Sequence, residues 1–121
     1  LPTYHPSLAI SYNNIGLLYE DMGEYSKALS FYEKTLEIHQ KVLPNNHPDL
    51  ATTYNNIGSV YMNLGEYSKA LWFHEKTLEI EKKVLPADHP SLATTYSNIG
   101  IVYNHMGNHT AALSHHQKAL E

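Results

Sequence analysis

Cysteine is absent from the 121 residues, which removes both a disulfide framework and thiolate chemistry. A basic stripe is absent too. Eight lysine and arginine residues stand against twelve acids, giving a net charge of −4 and a pI near 6.1. That balance excludes a nucleic-acid-binding or anionic-membrane surface, so no nucleic acid and no membrane is expected as a partner. No apolar run approaches the roughly 20 residues of a membrane-spanning helix. No charged stretch followed by an apolar one marks a signal peptide. A Gly-rich phosphate loop, a nucleophile elbow and a catalytic carboxylate pair are all missing, so no enzyme activity and no cofactor are expected. What remains is 42% hydrophobic and 17% charged, the composition of a folded domain with a real core. A cytoplasmic location is the expectation that fits it.

The dominant feature that is present is a repeat. "YNNIG" begins at Tyr12 and Tyr54 and returns as "YSNIG" at Tyr96, at two intervals of 42 residues. Copies begin at His5, His47 and His89 and divide the chain into repeat 1 (5–46), repeat 2 (47–88) and a shortened repeat 3 (89–121). The first two copies agree at 28 of 42 positions. The third stops after 33 residues, and a longer parent chain is expected. Each unit reads as two helices. His-Pro opens the first, since proline suits the first helical position, and His5, His47 and His89 read as capping or turn residues. The first helix of repeat 2 is expected over about Pro48 to Leu64, with Gly65 as a left-handed terminator like Gly23 and Gly107. The second is expected from Tyr67 to Leu85, stopped by Pro86 as Pro44 stops its counterpart. Such short linkers make antiparallel neighbours.

Tyr54, Ile57, Gly58, Tyr61, Gly65, Tyr67 and Ala70, with their counterparts, resemble the tetratricopeptide repeat pattern. The "HPxxAxxYNNIGxxY" start and the "KVLP…HP" link lengthen the unit to 42 residues, a form similar to the repeats of kinesin light chains. The resemblance implies an all-α fold, a right-handed superhelical stack of helix-turn-helix repeats. It also implies a non-catalytic scaffold that binds a protein or peptide segment on its concave face, as kinesin light chain repeats bind cargo. The clamp with which some members of the family hold chaperone C-terminal carboxylates is not reproduced. Only its middle-repeat asparagine is matched, by Asn56, and Asn13, Thr94 and Asn98 stand where its cations would fall.

Comparison of the copies sorts the first helix into two arcs at about 100° per residue. Leu50, Tyr54, Ile57, Gly58 and Tyr61 recur unchanged on one arc and read as packing. Gly16, Gly58 and Gly100, with Ala28, Ala70 and Ala112, are expected to let paired backbones approach closely. Tyr12, Tyr54 and Tyr96, with Tyr19, Tyr61 and Tyr103, are expected to fill the groove between repeats. The other arc varies or is polar: Asn13, Asn14, Leu17, Thr52, Asn55, Asn56, Ser59, Asn63, Thr94, Asn98, Ile101 and His105. A carboxamide column there offers paired donors and acceptors to an extended peptide backbone, or else fixes the stacking of neighbouring repeats. Trp72 replaces Ser30 and Ser114 and reads as an exposed contact or a ring lying flat on its neighbours.

Nine histidines raise the question of metal, but His105 and His109 flank Gly107 and His115-His116 diverge on a helix, so no metal site is expected. Glu33/Glu37 and Glu75/Glu79 read as a solvated outer face. "NHT" at Asn108 is a glycosylation sequon without secretory context. Two other readings of the array stand beside partner binding. One is a structural segment that associates end to end, with Ala112, Leu113 and Leu120 uncovered at one end and Leu8 and Tyr12 at the other. The second is a regulatory array belonging to a larger signalling ATPase or enzyme.

Overall fold

Six α-helices joined by short turns make up residues 4–121, the part of the chain described in a computed structural model. They are α1 (Pro6–Asp21), α2 (Tyr25–Val42), α3 (Pro48–Asn63), α4 (Tyr67–Val84), α5 (Pro90–His105) and α6 (His109–Leu120). The helix starts follow from local chemistry. His5, His47 and His89 hold extended backbone, and each ring Nδ1 accepts the backbone N–H two residues on, at 3.0 to 3.1 Å. Proline follows at the first helical position, where its missing N–H leaves no bond unmade. Asn108 caps α6 by accepting the Ala111 N–H at 3.2 Å, so the sequon asparagine has a local structural use.

The helix ends are equally local. Gly23, Gly65 and Gly107 have φ of +76°, +77° and +81°. Around Gly65 the Glu66 N–H reaches the Tyr61 carbonyl at 2.9 Å and the Gly65 N–H reaches Met62 at 3.1 Å. This paired closure satisfies carbonyls that the helix leaves free, and glycine takes the left-handed step without a Cβ penalty. α2 and α4 stop one residue short of proline, at extended Leu43 and Leu85.

α1 packs on α2, α3 on α4 and α5 on α6, and these pairs stack through α2 on α3 and α4 on α5. The core lies between pairs. Ala28, Tyr32, Ile57 and Val60 form one buried cluster, and Leu50, Ala51 and Ile80 form another. Truncating Ile57, which is fully buried, should cost about 2–5 kcal/mol through lost burial and the cavity left behind. Buried threonines tie together the two helices within each of the first two pairs. Thr35 donates to the Ala9 carbonyl of α1 and Thr77 to the Ala51 carbonyl of α3, each also turning back to Phe31 or Phe73 of its own helix.

One packing expectation needs correction, and a second holds only in part. The nearest neighbours of the helix glycines are aromatic rings and not the small alanines. A Cβ on Gly16 would lie 2.6 Å from the Tyr32 ring, one on Gly58 3.0 Å from the His74 ring, and one on Gly100 2.8 Å from the His116 ring. Each glycine is a seat for an aromatic ring sixteen residues on, while Ala28 lies in the buried cluster between the first two pairs and Ala70 and Ala112 are likewise buried. The tyrosines fill the space between repeats only in part: Tyr19 and Tyr61 rest against the buried cluster shared by the first two pairs, and the Gln40 amide of repeat 1 donates to the Tyr54 hydroxyl at 3.5 Å. Tyr12 and Tyr19 flank Phe31 of their own pair, at 6.1 and 5.6 Å between centroids, and Tyr54 and Tyr61 flank Phe73 in the same way, at 5.9 and 5.6 Å. These half-buried rings carry lysine ammoniums over their faces, Lys27 over Tyr19 and Lys69 over Tyr61. The fully buried aromatic is Tyr32, whose hydroxyl donates to Glu20 at 2.7 Å.

Candidate functional site

The first helices of the three pairs, α1, α3 and α5, run side by side and carry the polar arc. Their contact is made by asparagines. The Asn56 amide donates to the Asn13 side-chain oxygen at 3.2 Å, and the Asn98 amide donates to that of Asn55 at 3.3 Å. Both bonds cross from one repeat to the next, with a separation one longer than the period. Adjacent asparagines are needed for this: one reaches back while its neighbour receives from the following copy. Each carboxamide has two donor hydrogens and an oxygen with two lone pairs, so each bridge leaves free capacity on both partners. Asn14 makes no side-chain hydrogen bond among the described residues and is exposed.

The other predicted positions fall around these bridges. Leu17, Ile101 and Asn63 are exposed on the same face, and Ser59 is half-buried. Thr52 and Thr94 are exposed, with hydroxyls turned back to the Pro48 and Pro90 carbonyls at 3.3 Å. His105 is exposed and stacks on Tyr67 of the preceding pair at 5.3 Å. Trp72 lies apart from this face. It is 51% exposed, stands edge-on to Tyr54 and Phe73, and carries the Lys76 ammonium 5.2 Å from its ring.

The Asn55–Asn98 bridge divides the gap between α3 and α5 into two clefts. One, about 380 Å³, has Thr52, Asn55 and Thr94 at its mouth and Thr77 and Glu81 of α4 beneath. The other, about 200 Å³, is bounded by Ser59, Asn63, Asn98 and Ile101, with His74 beneath. His74 and Glu81 were not expected from sequence. His74 is 2% exposed and its Nδ1 has no hydrogen-bond partner. Burial holds its pKa down at about 4, so the ring is neutral near neutrality. Glu81 accepts the Thr95 hydroxyl, and burial raises its pKa against the lowering effect of Thr95 and His89. Between the first two pairs His39 takes the place of Glu81 and Thr53 that of Thr95, at 3.0 Å. Burial lowers the His39 pKa. The signal for both residues lay in the copies: position 32 reads Tyr, His, His, and position 39 reads His, then Glu.

No group of three or more metal-ligating side chains occurs among the described residues, and none of their helices is long and apolar enough to cross a membrane.

A stack of two-helix units with histidine-proline starts, left-handed glycine ends and polar first helices defines a helical repeat scaffold. The tetratricopeptide repeat family matches residues 49–121, more than half of the chain, and a second model of the same family matches 8–49. The chain belongs to the tetratricopeptide repeat family. No curated protein matches it. Among solved structures it is similar to BtubC (BKLC) from P. vanneervenii, with a TM-score of 0.90, 23% identity, and coverage of 97% of this chain and 47% of that one. It is also similar to the nearly identical TPR-like repeats assigned to a kinesin light chain of Podospora anserina, with a TM-score of 0.82, 23% identity, and coverage of 98% and 56%. The TPR domain of Arabidopsis FLU matches at 0.80 with 20% identity, covering 94% and 92%. The chain thus spans about half the length of the first two. At these identities the likeness shows the fold, an all-α helix-turn-helix stack that includes kinesin light chain-like repeats among its neighbours. Tetratricopeptide repeats are a general protein-interaction scaffold and are typically non-catalytic.

Proposed function

We propose that this array is a non-catalytic, cytoplasmic binding scaffold that seats an extended segment of a partner protein along the concave face formed by α1, α3 and α5. The observation that carries the reading is the pair of asparagine bridges. Each fixes two carboxamides in place yet leaves a free N–H donor on Asn13 or Asn55 and a free lone pair on Asn56 or Asn98. A peptide backbone needs alternating donors and acceptors, which such a ladder supplies with its ordering entropy already lost. Leu17, Thr52, Ser59, Asn63, Thr94, Ile101 and His105 would then meet the side chains of the segment. The likeness to kinesin light chain repeats makes cargo-type segments a natural class of partner.

The same bridges support a second reading, in which the asparagines serve repeat stacking alone and the array is a structural or regulatory segment of a longer protein. End-to-end association belongs with it. Leu18 is 63% exposed, whereas Val60 at the same position of repeat 2 is fully buried by the preceding pair. Leu113 and Leu120 are exposed on α6, whereas Ala112, expected to be uncovered with them, is buried and Leu8 and Tyr12 at the other end are half-buried.

A peptide array probed with the whole chain tests the proposal, followed by amide chemical-shift mapping of a selected peptide. Shifts concentrated on α1, α3 and α5 are the expected outcome. Binding elsewhere, or no peptide bound at all, would contradict it.

A further inference from the structure

Glu81 is a charge that the fold does not require. At the same position of repeat 1, His39 meets the Thr53 hydroxyl across the repeat boundary, so this junction needs a hydrogen-bonding partner and not a carboxylate. Glu81 is half-buried, and even partial burial of a carboxylate costs stability unless a cation compensates it. The nearby His89 favours the charged form, yet burial outweighs it. None of the ion pairs among the described residues includes Glu81, and only one of its oxygens has a hydrogen-bond donor there. The carboxylate lies beneath an open cleft of about 380 Å³, against about 170 Å³ for the counterpart over His39. The walls beside it include Ala51, Val84 and Pro90, which suit the methylene stem of a long cationic side chain.

We propose that this cleft is a subsite for a lysine or arginine side chain of the bound partner segment, with Glu81 as its charge partner. The proposal rests on the reading of α1, α3 and α5 as a peptide groove. An ammonium entering between Thr52 and Thr94 would meet the free oxygen of Glu81 and form a charge-assisted hydrogen bond, the stronger kind. The overall charge of −4 favours the approach of such a group. Specificity would then differ along the groove: a cation above Glu81, and no such demand above the neutral His39.

The test uses Nα-acetyl-lysine amide and the uncharged Nα-acetyl-norleucine amide as probes of the whole chain, followed through backbone amide shifts. Saturable shifts at Thr52, Thr94 and Thr95 are expected with the lysine probe and not with norleucine. Glu81→Gln keeps an oxygen for Thr95 but removes the charge; it should weaken the lysine probe about ten-fold or more, while melting at or above the parent's temperature. Equal response to both probes, an unaffected Glu81→Gln, or no response at all would overturn the subsite. So would a Glu81→Gln that melts well below the parent, since the charge would then serve the stack. These small probes read the cleft alone, so a failure here alongside array peptides that still bind leaves the groove reading standing. A bound lysine probe with no array peptide sinks the groove reading instead.

Discussion

Acidification from neutrality should destabilise this chain through His74, and replacing that one ring should remove most of the effect. The side chain is 2% exposed, seated against Gly58, and its Nδ1 has no partner. Its pKa is lowered by burial from 6.5 to about 4. The unfolded chain therefore takes up a proton that the folded chain refuses between those values, and stability falls as pH drops through that window. At 1.36 kcal/mol per pH unit, the full loss approaches about 3 kcal/mol. His39, also lowered by burial, acts in the same direction, whereas Glu81, whose pKa is raised, adds stability as pH falls. A single acid melt of the parent mixes all three, so the informative comparison is His74→Phe. The ring should fit, because Tyr32 fills the equivalent place over Gly16. It removes an unpartnered buried nitrogen, for a gain of about 1–2 kcal/mol at neutral pH. Urea unfolding at a series of pH values measures both effects. Parallel stability curves for parent and variant, with no convergence or divergence across the window, would refute the reasoning.

The other predictions concern packing and ends. Gly58→Ala should lower stability by about 1 kcal/mol despite better helix propensity, because its Cβ would stand 3.0 Å from a buried ring, and Gly58→Leu by about 3 kcal/mol or more; thermal melts decide, and a tolerated leucine would show that the ring is not held there. Gly16→Ala should be worse than Gly58→Ala, with its Cβ 2.6 Å from Tyr32. Gly65→Ala meets nothing within 4 Å, yet should cost about 1–2 kcal/mol because its φ is +77°; an unchanged melting temperature would contradict the left-handed cap as the reason for that glycine. If the exposed Leu18, Leu113 and Leu120 are stacking surfaces, sedimentation should give a mass that rises with concentration, and a strict monomer would argue against end-to-end association.

The helix ends were legible because their causes are local. A histidine ring caps the N–H two residues on, and a glycine closes the carbonyls just behind it. The purpose of Gly16, Gly58 and Gly100 was not, because the group each one admits sits sixteen residues away on the partner helix. Alanines at conserved spacing offered a simpler explanation, and geometry chose the rings. The asparagines were placed on the right helices, but their pairing depends on how far one repeat is displaced on the next, which no single copy encodes. Glu81 and His74 escaped notice for a related reason. Each lies on a second helix, beneath a gap between two first helices, and becomes part of the site only when repeats stack.

The most direct test of the groove is Asn56→Ala, titrated with an array-selected peptide by calorimetry while helicity and melting temperature are recorded. Asn56 is central on the face and contributes to both the bridge and the free acceptor. If it holds a peptide backbone, affinity should fall by about 1–2 kcal/mol, roughly five- to thirty-fold, with helicity unchanged and only a small drop in stability. An unchanged affinity with a clearly lower melting temperature would assign the asparagines to repeat stacking and contradict the groove.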